Sequence, residues 1–389
     1  FPGCHRPVFY NPWDSYRIYP MRIGIEGLPL LFHRTGTVTY THELVQHLRR
    51  LHMGDAVILF GRNQRMAGES YHEISHTERV ANFLYKEYRL PAELAEQGID
   101  IYHSPRDMGL PNPGRLPCPC VMTLHDIILV RLANDYYSPT RAKMYERRLL
   151  SKVNEADHII TVSGFSKKDL CDWSGIDPDK VSVVHNGVSK QFRKVTDPDI
   201  LDAVRRRYRL PKRFVFCVGS TEPRKNIRRA IDAFGQLRRV RADIQMVVAG
   251  VDYCRVTPGE AFDGLDLDGV VLAGYVRDVD LPAIYSMADL FFFPSLYEGF
   301  GLPPLEAMAC GTPVITSSKS SIPEVVGDAA VLVDPRKPGE MAGALEMVLS
   351  SAGMQEELTG KGVERAAAFS WEKTAKQTRE IYARVVNNS

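Results

Sequence analysis

The sequence contains the stretch Phe293-Pro-Ser-Leu-Tyr-Glu298-Gly299-Phe300-Gly301-Leu302-Pro303-Pro304-Leu305-Glu306-Ala307-Met308. A predicted strand ends within its first residues, a loop with two glycines follows, and a helix begins at the two prolines, where a missing N–H costs little. Amides and the dipole at a helix start attract an anion, and the glycines let the backbone approach a ligand closely. Each of the two glutamates can accept two hydrogen bonds from a vicinal diol. The stretch therefore predicts a site for a phosphorylated, hydroxyl-rich ligand such as a nucleotide sugar.

Two other loops that follow apolar runs contain residues that can contact a diphosphate. Gly219 follows the run 214–218 and leads to Arg224 and Lys225, which can clamp a diphosphate between a strand and a helix. Gly36 lies in a loop between the first predicted strand and the helix after it, and can cover the diphosphate from the opposite side of a cleft. A solvated basic surface and a plain turn are the alternatives for these two loops.

His125 follows the apolar run 121–124, so it is placed at the carboxyl end of a predicted strand. It can bond a sugar hydroxyl or act as an acid or base, and a histidine without a functional role is the alternative. Asp-x-Asp pairs can hold a divalent metal, but the pairs here resemble solvated turns: Asp177/Asp179, Asp197/Asp199, Asp266/Asp268 and Asp278/Asp280. We therefore expect neither a metal nor another cofactor.

Short apolar runs alternate with helical patterns along the whole chain, which predicts two parallel sheets of the α/β class. The predicted strands are residues 22–25, 56–60, 99–103, 121–124, 158–162 and 181–184, then 214–218, 244–249, 270–272, 290–294, 314–316 and 330–333. A polar stretch at 189–213 separates the two sets, and we place the domain boundary and a hinge there. Ligands of such sheets bind outside the carboxyl ends of the strands.

The composition narrows the class of protein. Among the 389 residues, 49 Lys and Arg face 47 Asp and Glu, so the net charge of +2 gives no reason to expect a nucleic-acid partner. A hydrophobic fraction of 44% excludes disorder as the main state. No apolar run approaches the ~20 residues that span a bilayer. The seven cysteines include no Cys-x-x-Cys pair, which disfavours structural zinc.

The expected domains are an N-terminal Rossmann-like domain at 21–190, a C-terminal Rossmann-like domain at 191–370, and a helix at 371–389 that returns to the first domain. Residues 1–20 contain four prolines and no apolar core, so they do not resemble a signal peptide. They are expected to be either a leader or a genuine N-terminal arm.

Several segments resemble, in order, the landmarks of the retaining glycosyltransferases of family 4, whose GT-B fold has two Rossmann-like domains. Glu298 and Glu306 match the E-x7-E motif of that family. The resemblance extends over roughly residues 21–385 and is most similar to bacterial mannosyltransferases that build O-antigen. The other matching segments are 34–40, 125–126, 161–167, 186–188, 219–226, 274–276 and 320–324.

This resemblance implies roles on the donor side. Arg224 and Lys225 would bind the diphosphate and stabilise the departing nucleotide, and Glu306 would hold the ribose hydroxyls. Glu298 would contact the hexose and phosphate. The remaining expected donor contacts are the backbone of Gly299, Phe300, Gly301 and Leu302, the loop at Gly219, and Tyr275 and Val276 near the base.

On the other side of the donor, His125 would face the transferred sugar and Gly36 would form the lid. The expected catalytic side chains are Glu298, His125, Arg224 and Lys225. The resemblance also implies a retaining hexosyl transfer, with GDP-mannose as the expected donor and a saccharide as acceptor, carried on polyprenyl diphosphate. The alternatives are a UDP-sugar donor, a sugar-nucleotide epimerase, a relative of glycan phosphorylase or glycogen synthase with a different acceptor, and a scaffold that binds the nucleotide sugar without turnover.

A basic face on one predicted helix suggests peripheral contact with the cytoplasmic face of a membrane. This face consists of Arg141, Lys143, Arg147, Arg148 and Lys152. The expected location is accordingly cytoplasmic, at the inner membrane surface, and a solvated face is the alternative.

Overall fold

The computed structural model describes residues 20–28, 36–51, 53–61, 76–112, 114–219, 222–250 and 262–389. The leader or arm expected at 1–20 lies outside this part of the chain except for its last residue. The chain divides into two compact units: Val188–Ser370 forms one, and the residues up to Gly187 together with Trp371–Ser389 form the other. We refer to them as the second and the first unit.

The first unit is built on a six-stranded parallel sheet with the strand order β2-β1-β3-β4-β5-β6. Its strands are β1 (Arg22–Glu26), β2 (Ala56–Phe60), β3 (Ile101–Ser104), β4 (Cys120–Thr123), β5 (His158–Thr161) and β6 (Val181–Val183). Its helices are α1 (Gly36–Arg50), α2 (His76–Leu84), α3 (Leu90–Glu96), α4 (Ile128–Arg131), α5 (Ala133–Tyr136), α6 (Pro139–Glu155) and α7 (Gly164–Ser174), and a π-helical turn at Tyr85–Arg89 joins α2 to α3.

The second unit has its own six-stranded parallel sheet, in the order β12-β11-β10-β7-β8-β9. Its strands are β7 (Phe214–Val218), β8 (Gln245–Ala249), β9 (Val270–Gly274), β10 (Leu290–Phe293), β11 (Val314–Ser317) and β12 (Val331–Val333). Its helices are α8 (Pro198–Tyr208), α9 (Ile227–Arg238), α10 (Leu281–Met287), α11 (Leu302–Ala309), α12 (Ile322–Val326), α13 (Pro338–Leu349) and α14 (Ala352–Ala367), and α15 (Trp371–Asn387) follows as part of the first unit.

All twelve predicted strands are confirmed, with bounds that differ by at most two residues. The prediction works because strands covered by helices on both faces must be apolar throughout. In the second unit the order corresponds to the Rossmann pattern, with β7 as its first and β10 as its fourth strand. The direction of winding reverses between these two neighbours, and ligands of such sheets bind at that point.

Aromatic side chains fill the core beside this reversal. Phe291 on β10, Phe216 on β7 and Tyr285 on α10 pack against one another, with ring centroids 5.2–5.9 Å apart. All three side chains are fully buried. Because edge-to-face aromatic pairs prefer such separations, the ends of β7 and β10 are fixed by rigid packing.

The stretch at 189–213, where the sequence places the domain boundary, begins the second unit. The Asp197 carboxylate caps α8 by accepting hydrogen bonds from the N–H groups of Asp199 and Ile200. The Val195 N–H donates to Ser286 Oγ at 2.9 Å. The predicted end of the first domain at 190 falls three residues beyond Gly187, because the Val188 N–H already bonds Phe369 O within the second unit.

The last helix, α15, completes the first unit. Arg379 donates from Nε and Nη2 to the two carboxylate oxygens of Asp55 at 2.6 and 3.0 Å, and both side chains are buried. Thr374 Oγ1 donates to His185 O at 2.7 Å. Within the described residues, no helix is both long and apolar enough to cross a bilayer.

We expect Arg379→Leu to destabilise the first unit by about 3–5 kcal/mol, because it leaves the Asp55 carboxylate buried without its cation. Urea denaturation followed by circular dichroism measures the change. Lys376→Ala removes an exposed cation from the same helix and should alter the free energy of unfolding by less than about 0.5 kcal/mol. A loss below about 1 kcal/mol for Arg379→Leu contradicts this assignment.

Candidate active site

The loops after β7 and β10 meet through one carboxylate. Glu298 Oε1 accepts hydrogen bonds from Lys225 Nζ at 2.8 Å and from Ser295 Oγ at 2.7 Å. Arg224 Nη1 lies 3.1 Å from Oε1 and 3.0 Å from Oε2. The three residues that the sequence selected from two distant loops are therefore brought together at the reversal point of the sheet.

The Glu298 carboxyl is 8% exposed, so its charge depends on its partners. Burial by itself raises the pKa of a carboxyl, but the Lys225 and Arg224 cations outweigh it and hold the pKa of Glu298 below its ordinary value. Lys225 also lies over the ring of Phe293, with Nζ 5.0 Å from the centroid. Arg224 makes a second ion pair, from Nε to Glu222 Oε2 at 2.6 Å.

Backbone contacts join the same two loops. The Leu296 N–H donates to Arg224 O at 2.7 Å. Asn226 adopts a left-handed conformation with φ 59°, and its Nδ2 donates to Pro294 O at 2.9 Å and to Pro335 O at 2.6 Å. A Cβ on Gly219 would come within 2.9 Å of Ile227 Cδ1, so glycine is needed where the loop leaves β7. The positions of the two cations are thus set by the backbone before any ligand binds.

A second clamp holds the loop at 295–301. The Glu298 N–H donates to Ser320 Oγ at 3.0 Å, and Ser321 Oγ lies 2.8 Å from Glu298 O and 2.9 Å from Phe300 O. Gly301 has φ 110°, and a Cβ there would approach Ile322 Cδ1 to 2.6 Å. This backbone conformation therefore requires glycine at 301. From the sequence, glycine is expected to matter there because it lets the backbone approach a ligand closely.

The start of α11 offers an anion fewer N–H donors than expected from the sequence. Leu302 begins the helix, and Pro303 and Pro304 then remove two N–H groups from its first turn. Amides for an anion must therefore come chiefly from the backbone of 299–302, ahead of the prolines. Glu306, one turn further, accepts a hydrogen bond from Tyr285 Oη at 3.2 Å and is half-buried.

The loop after β9 carries Tyr275 and Val276, at the same edge of the sheet as the two cation loops. Tyr275 is 68% exposed, whereas Val276 is buried. Asp280 anchors this loop: it accepts from Tyr208 Oη at 2.7 Å and Arg277 Nε at 2.7 Å, and Arg207 adds two bonds of 3.0 Å. These donors hold the pKa of Asp280 at about 2, although its desolvation opposes them.

In the first unit, His125 follows β4 and is fixed by its surroundings. Its Nε2 lies 3.1 Å from Pro105 O, and a carbonyl only accepts, so Nε2 carries the proton and Nδ1 of the neutral ring is an acceptor. Burial lowers the pKa of His125 to about 4, against the opposing effects of that hydrogen bond and of Asp107. A histidine with this pKa is a weak base at neutral pH, so the geometry favours a bond from a sugar hydroxyl over acid–base catalysis.

Gly36 begins α1 and is exposed, whereas Arg34 and Thr35 of the same loop lie outside the described residues.

The four Asp-x-Asp pairs have two different kinds of environment. Asp177, Asp197 and Asp266 each accept the N–H two residues further on, which is the geometry of a turn. In the fourth pair, Asp280 belongs to the arginine and tyrosine cluster.

Some residues of the site were missed by the sequence interpretation. Their common property is that they position other groups: Ser295, Ser320, Ser321, Glu222, Tyr285 and Asp280. Serines in loops resemble ordinary turn residues, and Ser320 and Ser321 reach Glu298 from more than 20 residues away, so their pairing leaves no local signal. Asp280 belongs to an Asp-x-Asp pair that resembled a solvated turn.

Two Rossmann-like units, one of which presents paired cations and carboxylates at its reversal point, define the class of GT-B nucleotide-sugar transferases. Residues 203–365 match the family described as Glycosyl transferases group 1, and residues 34–192 match the one described as Glycosyltransferase Family 4. The chain therefore belongs to the family 4 glycosyltransferases.

Two curated relatives come from Escherichia coli. The chain is 31% identical to O-antigen chain mannosyltransferase B over 334 residues, covering 84% of this chain and 82% of that one. It is 29% identical to serotype-specific mannosyltransferase WbdA, covering 70% of this chain and 34% of that longer one. Sucrose-phosphate synthase from Thermosynechococcus elongatus has a similar fold, with a TM-score of 0.73, 22% identity and coverage of 95% of this chain and 100% of the other.

The paired cations make the stability of the second unit depend on pH. The folded-state pKa of Glu298 is lowered, so its contribution is fully present above the ordinary value of 4.5 and is lost as pH falls through the lowered value. Glu298→Gln should lower the free energy of unfolding by about 1–3 kcal/mol at pH 7, and this difference from wild type should shrink towards pH 3.

Urea denaturation at several pH values between 3 and 7 measures both effects. Glu364→Gln removes an exposed carboxylate from α14 and serves as the matched control. A difference between Glu298→Gln and wild type that stays constant over this range would show that Glu298 carries no stabilising charge.

Proposed function

We propose that this protein is a retaining mannosyltransferase that moves mannose from GDP-mannose to a saccharide acceptor in the synthesis of a cell-surface polysaccharide. The observation that carries the proposal is the buried Glu298, which holds both Arg224 and Lys225 at the point where the sheet reverses. The two cations face two carboxylates, the buried Glu298 and the more exposed Glu222. Glu222, their other carboxylate neighbour, is 42% exposed and remains solvated.

The two fixed cations are suited to the negative charge that the diphosphate gains during the reaction. Cleavage of the sugar–phosphate bond leaves one more negative charge on the nucleoside diphosphate, while the sugar becomes oxocarbenium-like. Cations and amides fixed beside the diphosphate bind that state more strongly than the ground state, which is what lowers the barrier. Arg224, Lys225 and the amides of 299–302 provide this stabilisation, so we propose a reaction that requires no metal.

The contacts of Glu298 also bear on the stereochemistry. Both of its oxygens accept hydrogen bonds from cations, and one accepts a further bond from Ser295. A carboxylate so engaged is a poor nucleophile, which favours an electrostatic role over a covalent intermediate. We therefore propose that the acceptor hydroxyl attacks from the face of the leaving group, so that the anomeric configuration is retained.

The other donor contacts follow from their places at the same sheet edge. Glu306 would accept hydrogen bonds from the ribose hydroxyls, and the base would lie against Tyr275 and Val276. Asp280 keeps that loop rigid through Arg207 and Tyr208 from α8 and through Arg277 of the loop itself. In the first unit, the family resemblance assigns His125 to the sugar and Gly36 to the diphosphate, and Nδ1 of His125 is the atom that would accept from a hydroxyl.

The choice of mannose is supported by the names of both curated relatives, which are mannosyltransferases. The O-antigen in one of these names supports a saccharide acceptor on a polyprenyl carrier. We accordingly propose that the reaction takes place at the cytoplasmic face of the membrane. UDP-sugars as donors and a non-catalytic scaffold are the alternatives that the following experiment separates.

We expect release of GDP from GDP-mannose, at an equal rate with and without EDTA, in the presence of mannose-containing acceptors. Arg224→Ala and Lys225→Ala should each lower kcat/KM for the donor by about 10²–10³-fold, because each removes one fixed charge from the diphosphate. Lys212→Ala removes an exposed cation at the opposite end of β7 and should leave kcat/KM unchanged. Nuclear magnetic resonance of the product gives its anomeric configuration.

Each alternative has its own result in this assay. Release from a UDP-sugar alone would overturn the proposed donor. Tight binding of a nucleotide sugar without release, with every acceptor tested, would favour the scaffold. Inversion of the anomeric centre would overturn the proposed attack from the face of the leaving group.

Contact with a membrane is supported by two helices of the first unit. On α6, Arg141, Lys143, Arg147 and Arg148 are exposed. Lys152, the fifth member of the predicted basic face, is not: it is buried and its Nζ donates to Pro111 O. In the same unit, α2 and the π-helical turn expose an apolar face at i, i+3, i+4 and i+8, formed by Val80, Phe83, Leu84 and Tyr88.

Exposed cations suit the surface of an anionic bilayer because they meet lipid headgroups, and exposed apolar side chains can enter its interface. We therefore expect the protein to sediment with phosphatidylglycerol vesicles at low salt. Arg147→Glu with Arg148→Glu should abolish most of this binding. The matched pair Lys212→Glu and Arg239→Glu reverses two exposed charges in the second unit and should preserve it.

Equal binding to phosphatidylcholine vesicles, or binding that survives the reversal on α6, would contradict an electrostatic contact through this helix. No binding to either vesicle would show that the face is solvated.

A further inference from the structure

A buried polar network connects the last helix of the first unit to the ring that packs on His125. Tyr382 Oη on α15 lies 2.5 Å from His103 Nδ1 on β3, and His103 Nε2 lies 2.8 Å from Thr123 Oγ1 on β4. Thr123 Oγ1 in turn lies 2.9 Å from Tyr40 Oη on α1. All four side chains are buried, and all belong to the first unit.

Each member of this network has a defined protonation state. Burial lowers the pKa of His103 to about 3, so its ring is neutral and donates with one nitrogen while it accepts with the other. Burial also raises the pKa of Tyr40 to about 12, against hydrogen bonds from Thr123 and Thr378. Burial therefore keeps Tyr40 a neutral phenol, and its hydroxyl is hydrogen-bonded by Thr123 of β4 and Thr378 of α15.

The ring of Tyr40 meets that of His125 edge to face, with centroids 4.8 Å apart and planes at 88°. The two other anchors of His125 are polar: Nε2 donates to Pro105 O, and Ser166 Oγ donates to the His125 carbonyl. The hydrogen bond to Pro105 restrains the imidazole through one atom, at 3.1 Å. The edge-to-face contact with Tyr40 packs against the ring itself, so it restrains the tilt further and excludes water from that side of His125.

We propose that Tyr40 is a positioning residue for His125: its ring sets the tilt of the imidazole and keeps that side of it dry, so that Nδ1 is presented as an acceptor. The inference rests on the proposed function only in assigning a sugar hydroxyl to Nδ1. It gives a role to Tyr40, the last residue of the matching segment 34–40, in which only Gly36 had an expected role, and it makes α15 part of the support of the site.

The titratable groups around His125 decide how the proposal can be tested. Asp107 acts to raise the pKa of His125. Burial keeps the His103 ring neutral, and it also keeps Tyr40 a neutral phenol. Asp126, the next residue, accepts the Ile128 N–H. Removal of the Tyr40 ring would admit water on one side while Asp107 remains, and both effects favour protonation of His125.

The test is a histidine titration by nuclear magnetic resonance, with His125→Gln used to assign the resonance. We expect Tyr40→Leu to raise the pKa of His125 by about one unit or more, whereas Tyr40→Phe keeps the ring and should leave it within about half a unit. Leu48→Ala truncates a buried side chain at the far end of α1 and should not shift the titration. Circular dichroism confirms that each variant is folded.

The kinetic arm follows the acid limb of kcat, which should move upward in Tyr40→Leu with the pKa of His125 and be restored in Tyr40→Phe. An unchanged titration in a folded Tyr40→Leu variant overturns the proposal, as does an equal shift in Leu48→Ala. A shifted titration with an unmoved acid limb shows that Tyr40 does not position His125 for the reaction. If the wild type transfers no sugar, the proposed function fails, and the titration still decides whether Tyr40 controls His125.

Discussion

The Glu298 carboxylate is the charge on which the arrangement of the second unit's loops depends. Two neighbouring cations at the carboxyl end of one strand repel each other and are poorly solvated when the strand ends are buried. A carboxylate from the adjacent strand's loop neutralises that repulsion and joins the two loops. Its own backbone must then be held in place, and Ser320 and Ser321 from the loop after β11 do this. The left-handed Gly301 lets the chain leave that clamp and enter α11.

The first unit also has a buried carboxylate that is paired with a serine and a cation at the reversal point of its sheet. Its sheet reverses between β1 and β3, and Glu26 at the end of β1 is buried there. Ser104 Oγ donates to Glu26 Oε2 at 2.9 Å, and Arg106 Nη2 donates to Oε1 at 2.6 Å. A Cβ on Gly109 would come within 1.8 Å of the same carboxylate, so that loop also needs glycine. At both reversal points a carboxylate, a serine and a cation thus occupy the space where strand ends diverge.

Much of this architecture could be predicted because its signals are local. Strands buried on both faces have to be apolar, and each of the twelve runs shows that pattern. The glycine-flanked glutamates and the Arg224–Lys225 pair are likewise close in sequence. What could not be predicted depends on contacts between distant segments. Lys152 resembles its exposed basic neighbours on α6, and only the approach of Pro111 makes it a buried donor. The polar stretch at 189–213 resembles a linker, because the partners of α8, Asp280 among them, come some 70 residues later.

The placement of α15 has a consequence for how the chain matures on the ribosome. The first unit is discontinuous: Asp55, His103 and Tyr40 receive partners from a helix that follows the whole second unit. About 180 residues separate the two parts of the first unit, and at ~5–20 residues per second their synthesis takes on the order of 10–40 s. Throughout that interval the surface that α15 will cover is open, with an aspartate and a histidine that lack their later partners. The second unit is contiguous, so the order of synthesis allows it to fold before the first unit, which was begun earlier, is complete.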